Sequence, residues 1–527
     1  MKYDAAKLEL YKNLYASAAE EMGVVLCRTA FSPNIKERRD FSCAVFDSSG
    51  NMIAQAAHIP VHLGSMPSSV LSAIQSMDME DEDAVILNDP FRGGTHLPDI
   101  TLVSPVFMEG KSKPVYFVAN RAHHADVGGV SPGSMPLSTE ISQEGVRIPP
   151  VKILKRGVLN EELLDLILAN VRTPIERRGD LEAQIAANET GKRRLIEITG
   201  KYGFEECMQY AVALLDYAEQ MTRASIRRIP DGTYEFHDSM DDDGISDSPV
   251  KISVSISVKG DSVVVDFTHS APQVRGSINA VYAITLSAVF YVFKCIGGQD
   301  TPSNSGCMRP INLIAKEGTI VNARFPAAVA GGNVETSQRI VDVLLGALSK
   351  ALPYEIPAAS CGSMNNVAIG GYDTIRNRSF AYYETIAGGM GARPTADGIS
   401  GVHTHMTNTM NTPIEAIEHT YPIQLNRYLI RRGSGGSGKW RGGDGIVREM
   451  TMLSDAEVTI LSDRRKHTPY GIDGGSPGKS GKNTLIHSDG AETELPSKVR
   501  VHLNAGDKIR IETPGGGGYG ENIPHRR

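Results

Sequence analysis

The chain has few of the features that mark secreted, membrane-bound or disulfide-stabilised proteins. Its 527 residues include one tryptophan and six cysteines, and no two cysteines form a C-x-x-C pair. Widely spaced cysteines in a chain of this length are typical of reduced cytosolic thiols. No stretch reaches about 18 apolar residues without a charge, and the N-terminus lacks the apolar core of a signal peptide. The sequence therefore predicts a cytoplasmic protein without a membrane span.

The charge balance argues against polyanionic partners. The chain carries 54 lysine and arginine residues against 61 aspartate and glutamate residues, which gives a formal net charge of -7. Nucleic acids and anionic membranes are bound by basic faces, which this balance does not supply. With 41% apolar and 22% charged residues, the composition is typical of a globular protein that is too long for one hydrophobic core.

Hydrophobic patterning predicts a mixed α+β, multi-domain fold. The N-terminal region, residues 1–160, opens with a helix and continues with two β-hairpins that carry the candidate metal site. Residues 161–230 are predicted to form a helical segment, and residues 231–425 a central α/β region. Residues 426–527 are rich in glycine and in short alternating segments, which predicts a β-rich C-terminal region.

The second predicted hairpin determines which residues of its two strands lie opposite each other. Its arms are ITLVSPVF at 100–107 and PVYFVAN at 114–120. The numbers of antiparallel partners then sum to about 222, which places Asp99 opposite His123. Pro105 lacks an N–H group, so the first arm is predicted to be an edge or bulged strand.

The two ends of this hairpin bring together the segments THLPD and AHHAD. Pro98 disfavours a helix before it, so His96 and Asp99 are expected on an extended or turn segment. Successive strand residues face opposite sides of a sheet, and only one of His123 and His124 is expected to join them. The pairing with Asp99 favours His123.

A further carboxylate comes from the first hairpin. Its strands run from Phe41 to Phe46 and onward from Met52, which places Asp40 opposite His58. Two imidazoles with one or two carboxylates suit zinc, manganese or iron(II) rather than calcium. The alternative is that these polar side chains only hydrogen-bond the backbone at the ends of the loops.

One motif suggests nucleotide binding. GSGGSGKW at 433–440 has the G-x-x-x-x-G-K skeleton of a phosphate-binding loop, but Trp440 stands where a hydroxyl residue should hold magnesium. The glycines that follow do not favour a helix, which such a loop needs. We therefore predict a structural loop, and we do not expect this chain to bind ATP.

The remaining histidines and cysteines carry weaker signals. His58, His62, His403 and His405 are interpreted mainly as structural residues, with His58 a candidate neighbour of the metal ligands. The HTH segment that contains His403 and His405 is a candidate pocket wall. Cys307 lies in a glycine-flanked turn without an identifiable base, so nucleophilic catalysis is not expected there.

Many ordered segments give the chain a specific resemblance to a known family. They are RTAFSPNIKERRDFSCAVFD, HLGSMP, DPFRGGTHLPDITLVSPVF, AHHADVGG, ERRGDLEAQIAAN, NSGCMRPI, AGGN, GGSPGK and ETPGGGGYG. Together they make the chain similar to the hydantoinase B/oxoprolinase family along nearly its whole length. The resemblance implies a hetero-oligomer in which a hydantoinase A-type partner holds ATP and magnesium.

The activity that the resemblance implies is ATP-dependent opening of a cyclic amide. The partner would phosphorylate a hydantoin, N-methylhydantoin, 5-oxoproline or related lactam, and this subunit would complete the hydrolysis. One alternative is a subunit of an acetone or acetophenone carboxylase, which is usually longer. Another is a non-catalytic scaffold for the ATP-binding subunit.

Roles for individual residues follow from a metal-dependent mechanism, and the metal ligands also follow from the resemblance. Asp126 and His124 are candidates for proton relay, and the AGGN loop is expected to offer backbone N–H groups to an anionic intermediate. The implied ligands of one divalent metal (Zn, Mn or Fe) are Asp40, His96, Asp99 and His123.

Overall fold

A computed structural model of the chain describes residues 3–56, 59–298 and 300–521. Within these ranges it contains four β-sheets and nine α-helices, which confirms the predicted mixture of helices and sheets. No helix in the described ranges is both long enough and apolar enough to cross a membrane. The helices are α1 (Ala5–Thr29), α2 (Pro33–Lys36), α3 (Ser65–Ser76), α4 (Glu161–Leu168), α5 (Pro174–Tyr202), α6 (Phe204–Ile226), α7 (Tyr282–Gly297), α8 (Ser337–Leu348) and α9 (Ile414–Thr420).

The first sheet supplies most of the candidate site. Its strands are β1 (Phe41–Asp47), β2 (Met52–Gln55), β3 (Ala84–Leu87), β4 (Asp99–Val106), β5 (Tyr116–His123), β6 (Val151–Lys155) and β7 (Val158–Leu159). They lie in the order β2-β1-β5-β4-β3-β6-β7, and every neighbouring pair is antiparallel. Asp99 pairs with His123, so the register predicted for the second hairpin is confirmed.

The prediction that Pro105 marks an edge or bulged strand is wrong. β4 lies between β5 and β3, and Pro105 pairs with Phe117 in unbroken register. The missing N–H group is tolerated because β3 pairs with β4 only from Thr101 to Val103, so Pro105 lies beyond the last β3 partner.

The first hairpin contains the bulge instead. The register of β1 against β2 shifts between Val45 and Phe46, and the pairing reaches Gln55. His58, the predicted partner of Asp40, lies outside the described residues.

Helices cover both faces of the first sheet. On one face, α1, α5 and α6 bury an apolar cluster that includes Tyr15, Val45, Val118, Leu195 and Leu214. On the other face, α3 contributes to a second apolar cluster that also contains residues of β3, β4 and β5. The sheet is therefore a buried middle layer, and polar side chains at its strand ends are shielded from water.

Helix α5 buries a polar stripe against this sheet. Arg177, Asp180, Gln184 and Asn188 recur every three or four residues and therefore share one face of the helix. The side chains of Gln184 and Asn188 both hydrogen-bond to Asn120 on β5, at 2.8 Å. Buried polar groups of this kind hold the helix in a defined register on the sheet.

The second sheet packs against α8. Its strands β8 (Gly232–Met240), β9 (Val250–Lys259), β10 (Ser262–Asp266) and β11 (Ile311–Ile314) lie in the order β11-β10-β9-β8, and β10 and β11 are parallel. A π-helical turn, Gly332–Thr336, leads into α8. Such turns are frequent at functional sites, and this one delivers Asn333 to the end of β4.

The third and fourth sheets enclose a common apolar core. The third contains β12 (Asn366–Asp373), β13 (Arg378–Glu384), β16 (Ala456–Leu461) and β19 (Lys498–Leu503) in the order β13-β12-β16-β19. The fourth contains β14 (Ile423–Arg431), β15 (Gly445–Met452), β17 (Lys482–Ile486), β18 (Glu492–Leu495) and β20 (Lys508–Glu512) in the order β14-β15-β20-β17-β18. The third sheet joins strands from both sides of residue 426, and the division into four regions stays a prediction.

The GSGGSGKW segment is a connection between two antiparallel strands. It lies between β14 and β15, and no helix follows it. The backbone N–H groups of Ser434 and Gly435 donate to the carboxylate of Asp444, each at 2.8 Å. The N–H of Gly436 donates to the carbonyl of Gly516 at 2.9 Å. These groups are thus used within the fold.

Candidate metal centre

Three segments converge at the ends of β4 and β5. His96 and Asp99 come from the turn before β4 and its first residue, His123 is the last residue of β5, and Asp40 immediately precedes β1. The ligand atoms that His96, Asp99 and His123 offer all lie within 4.8 Å of one another. All four side chains belong to buried residues.

Asp99 is the centre of this cluster. One carboxylate oxygen, Oδ2, accepts a hydrogen bond from Thr95 at 2.6 Å and lies 3.4 Å from Nε2 of His62. The other, Oδ1, lies 3.3 Å from Nε2 of His96 and has no hydrogen-bond partner among the described residues. Burial opposes ionisation, but the neighbouring imidazoles of His96 and His62 outweigh it and hold the pKa of Asp99 well below its usual value.

His96 presents Nε2 to the cluster. Its Nδ1 lies 3.3 Å from the carbonyl oxygen of Ala330, which only accepts hydrogen bonds. That contact places the ring hydrogen on Nδ1 and leaves the lone pair on Nε2, the arrangement that a metal-binding histidine requires. The side-chain nitrogen of Asn333 lies 3.0 Å from this Nε2, and the side-chain oxygen of Asn333 has no hydrogen-bond partner in the described part of the chain.

His123 is fixed by a stacking contact. Its ring lies against that of Tyr383, with centroids 4.5 Å apart and an interplanar angle of 11°. The side-chain nitrogen of Asn34 lies 2.6 Å from its carbonyl oxygen and 3.1 Å from its Nδ1. The Nε2 atom is buried and has no hydrogen-bond partner within the described ranges. Burial and the nearby His96 hold the pKa of His123 well below its usual value, so the ring is neutral at pH 7.

Asp40 faces the same space from the other side. It lines a cavity of about 20 Å³ together with Asp99 and His123, which is room for one water molecule or one ion. Its Oδ2 lies 3.7 Å from the guanidinium of Arg38. Burial raises the pKa of Asp40 to about 6, although Arg38 opposes this shift.

The donor set fits a divalent cation. Two imidazoles and two carboxylates form a mixed nitrogen and oxygen set that suits zinc, manganese or iron(II). Buried polar atoms without partners are rare because each costs free energy. Here Oδ1 of Asp99 and Nε2 of His123 are two such atoms in one cluster, and a cation between them would satisfy both.

Sequence reasoning missed several residues around this cluster. His62, interpreted as structural, lies beside Asp99, and its Nδ1 is 2.9 Å from Oγ of Ser42. Arg38 is fully buried and donates to Oγ1 of Thr385 at 2.8 Å. His62 lies in the segment HLGSMP and Asn333 lies in AGGN. Both segments contribute to the family resemblance, and this could have marked the two residues as candidates for the site. Tyr383 lies in an ordinary-looking strand and gave no signal.

The two candidate proton-relay residues lie outside the cluster. Nε2 of His124 is 2.9 Å from Oε1 of Gln184 on α5, on the opposite side of the sheet from His123. Asp126 accepts hydrogen bonds from the backbone of Gly128 and Gly133 and from Arg172. The opposite orientation of the two histidines was predicted, whereas proton relay by either residue stays a prediction.

The expectation for the AGGN loop is wrong for most of its backbone. The N–H of Ala330 donates to Glu144 at 3.0 Å, and the N–H groups of Gly331 and Gly332 donate to the carbonyl of Ser277. These groups are used within the fold and do not face the cavity. The loop contributes the side chain of Asn333 instead.

Cys307 and the HTH segment lie elsewhere. The thiol of Cys307 is buried and donates to the carbonyl of Pro302 at 3.1 Å. His403 and His405 line a separate, larger cavity, as the alternative interpretation of that segment predicted.

Sequence comparison gives a match along nearly the whole chain. Residues 4–522 match the profile of a family described as hydantoinase B/oxoprolinase. The chain is 46% identical over 530 residues to an uncharacterised protein of Methanocaldococcus jannaschii, covering 99% of this chain and 92% of that protein. It is 40% identical over 549 residues to 5-oxoprolinase 1 of Arabidopsis thaliana, covering 99% of this chain but only 42% of that protein. The chain thus spans less than half the length of that plant protein.

Two solved structures share the fold. The ATP-dependent caprolactamase from Pseudomonas jessenii has a TM-score of 0.91 and 28% sequence identity, covering 99% of this chain and 92% of that chain. A nucleotide-free acetone carboxylase has a TM-score of 0.90 and 19% identity, covering 98% of this chain and 76% of that chain. At that identity the second likeness shows the fold alone.

Proposed function

The chain belongs to the hydantoinase B/oxoprolinase family, and from this membership and the buried ligand cluster we propose that it is the metal-dependent subunit of an ATP-dependent cyclic amidohydrolase. Its substrate is a hydantoin, N-methylhydantoin, 5-oxoproline or related lactam that an A-type partner subunit has phosphorylated. The observation that carries the proposal is the pair of buried atoms without partners, Asp99 Oδ1 and His123 Nε2, in one mixed donor set.

Asp40, His96, Asp99 and His123 are the residues that would hold the cation. A zinc, manganese or iron(II) ion at this position supplies Lewis-acid polarisation of an oxygen atom and lowers the pKa of a water molecule. The neutral imidazole of His123 and the ionised carboxylate of Asp99 are already in the protonation states that such a site requires.

The surrounding residues set the geometry and charge of the site. Ala330 fixes the tautomer of His96, and Tyr383 fixes the ring plane of His123. The guanidinium of Arg38 is a buried positive charge beside the same cavity, where it can offset an anionic group on a bound substrate. Apolar side chains such as Val61 and Met406 complete the wall and exclude water.

The nucleotide is proposed to reside on the partner polypeptide. The loop that resembles a phosphate-binding loop has its N–H groups committed to Asp444 and to the glycine-rich segment near Gly516. The similar caprolactamase is an ATP-dependent enzyme. A hetero-oligomer in which one chain handles ATP and this chain handles the activated amide accounts for both observations.

The second candidate function is a subunit of a ketone carboxylase, which the likeness to acetone carboxylase favours at the level of fold. Bicarbonate-dependent consumption of acetone or acetophenone with ATP would identify it. ATP-dependent ring opening without bicarbonate would identify the amidohydrolase.

The test is to co-express the chain with its proposed A-type partner and to screen hydantoins, 5-oxoproline, other lactams and ketones for ATP consumption and product. The His96→Ala and Asp99→Ala variants should assemble with the partner but lose at least about 100-fold in turnover. Full turnover and full metal content in both variants would contradict the proposal and would favour a scaffold role.

A further inference from the structure

A second cavity lies against the candidate metal centre. It has a volume of about 450 Å³, within the range of small-molecule sites. Its walls come from α7, from the segment at 356–360, from Pro60 and from residues 402–408.

This cavity adjoins the smaller cavity of the metal cluster. Thr407 lines both of them. Pro60 lines the larger cavity, while its chain neighbours Ile59 and Val61 line the smaller one. The two cavities are therefore neighbours that share part of their walls.

The chemistry of the lining is mainly apolar and carries no fixed positive charge. Among the described residues that line it, none is lysine or arginine. The charged lining residue is Glu355, whose exposed side chain forms an ion pair with Arg228. Apolar contacts come from side chains such as Ile296, Ile356 and Met390.

Polar groups are present but uncharged. Burial lowers the pKa of His403 to about 3 and that of His405 to about 4, so both imidazoles are neutral at pH 7. Nδ1 of His405 lies 3.4 Å from the hydroxyl of Tyr291. The Nε2 atoms of both histidines have no hydrogen-bond partner in the described residues. Neutral imidazole both donates and accepts hydrogen bonds, as an amide group does.

The backbone of His405 is also unusual. Its φ is 60°, in the left-handed region that residues other than glycine rarely adopt. Such conformations persist only where the surrounding structure enforces them, and they cluster at functional sites.

From these observations we propose that this cavity binds the ring of the substrate and selects a neutral cyclic amide over one that carries a carboxylate. The ring carbons contact the apolar wall, and the histidines and Tyr291 supply hydrogen-bonding groups for the amide. A carboxylate would be desolvated here without a cationic partner among the lining residues, which is costly. The inference rests on the proposed function and narrows its substrate class.

The test uses two probes with the same ring. 2-Pyrrolidinone is neutral, and 5-oxoproline is the same lactam with a carboxylate. Each is titrated into the purified, metal-loaded chain and followed by ligand-observed NMR. We expect 2-pyrrolidinone to bind at least tenfold more tightly. Equal or tighter binding of 5-oxoproline, or no saturable binding of 2-pyrrolidinone, would overturn the inference.

Substitutions in the cavity wall test whether the lactam binds in this cavity. Val402→Trp and Thr404→Phe each add bulk to the cavity wall and should weaken lactam binding at least tenfold. Val130→Trp makes the first change at an exposed valine outside this cavity and should leave binding unchanged. Unchanged binding in folded samples of both cavity variants would overturn the inference.

Metal analysis of the same samples separates the two proposals. If the parent chain takes up no metal, the proposed function fails whatever the lactam result. If the chain takes up one metal but the probes give a contrary result, the selection by this cavity fails and the proposed function stands.

Discussion

The ring of Tyr383 is shared by a metal-ligand candidate and a buried cation. His123 stacks against it with ring centroids 4.5 Å apart, and the guanidinium carbon of Arg38 lies 5.1 Å from its centroid. The hydroxyl of Tyr383 donates to Oδ1 of Asn366 at 2.7 Å. One aromatic side chain from β13 thus contacts both His123 of β5 and Arg38 of the segment between α2 and β1.

The stacking contact should matter more than the hydroxyl for metal binding. Tyr383→Leu removes the flat face against His123 and should weaken metal affinity about tenfold, as loss of a supporting group does. Tyr383→Phe keeps the face and loses one hydrogen bond, so affinity should change less than about threefold while stability falls by about 1 kcal/mol. Competition with a chelator measures the affinity, and equal losses in the two variants would contradict this account.

The two adjacent histidines of AHHAD should behave differently. His123→Ala removes a proposed ligand and should lower metal affinity about 100-fold or more. His124→Ala, the matched control, changes a residue that contacts Gln184 on the other side of the sheet and should keep full metal content. Metal content per folded chain decides the question, and loss in His124→Ala with retention in His123→Ala would reverse the assignment.

Sequence reasoning succeeded where the geometry is local. A single hairpin turn fixes the register of its two strands, so the pairing of Asp99 with His123 followed from counting residues. The same reasoning separated the two sides occupied by His123 and His124. The prediction from Pro105 was wrong because the pairing of β3 with β4 ends before this residue. The sequence of β4 alone does not show where that pairing ends.

The rest of the site depends on contacts that no local pattern records. Asn333 reaches His96 from 237 residues along the chain, and Arg38 reaches Thr385 from 347 residues away. His62 was interpreted as structural for the same reason. The sequence around an isolated histidine does not indicate that the fold places it beside Asp99. The positions of these residues depend on how whole sheets pack against each other. The hydrophobic periodicity of a single segment does not specify that packing.

Stability should depend on pH through Glu144. Its Oε1 accepts hydrogen bonds from Ser138 and from the backbone of Val329 and Ala330, and burial raises its pKa from 4.5 to about 7. Because the folded state holds the proton more tightly, the stability that this group contributes is full below pH 4.5 and is lost as the pH rises through about 7.

The variant Glu144→Gln stays neutral at every pH and isolates this effect. Between pH 5 and pH 8 the free energy of unfolding of the variant should rise relative to that of the parent by about 2 to 3 kcal/mol. Urea unfolding of both proteins at each pH measures the difference. A difference that does not vary with pH would show that Glu144 is already ionised in the fold.

Two glycine substitutions should have opposite signs. A Cβ on Gly435 would overlap the carbonyl oxygen of Gly442, so Gly435→Ala should destabilise the strand connection by at least about 2 kcal/mol. Gly200 lies in α5 and has open space where the methyl group of an alanine would stand, so Gly200→Ala should stabilise by about 0.5 to 1 kcal/mol. Thermal unfolding of both variants tests the packing around each of these glycines.

The most direct test of the central claim is anomalous X-ray diffraction from crystals of the purified chain grown with zinc or manganese. The account predicts one strong peak about 2.0 to 2.3 Å from Nε2 of His96, Nε2 of His123 and an oxygen of Asp99, with Asp40 facing the same ion. A well-ordered map with the four side chains in place and no peak among them would contradict it.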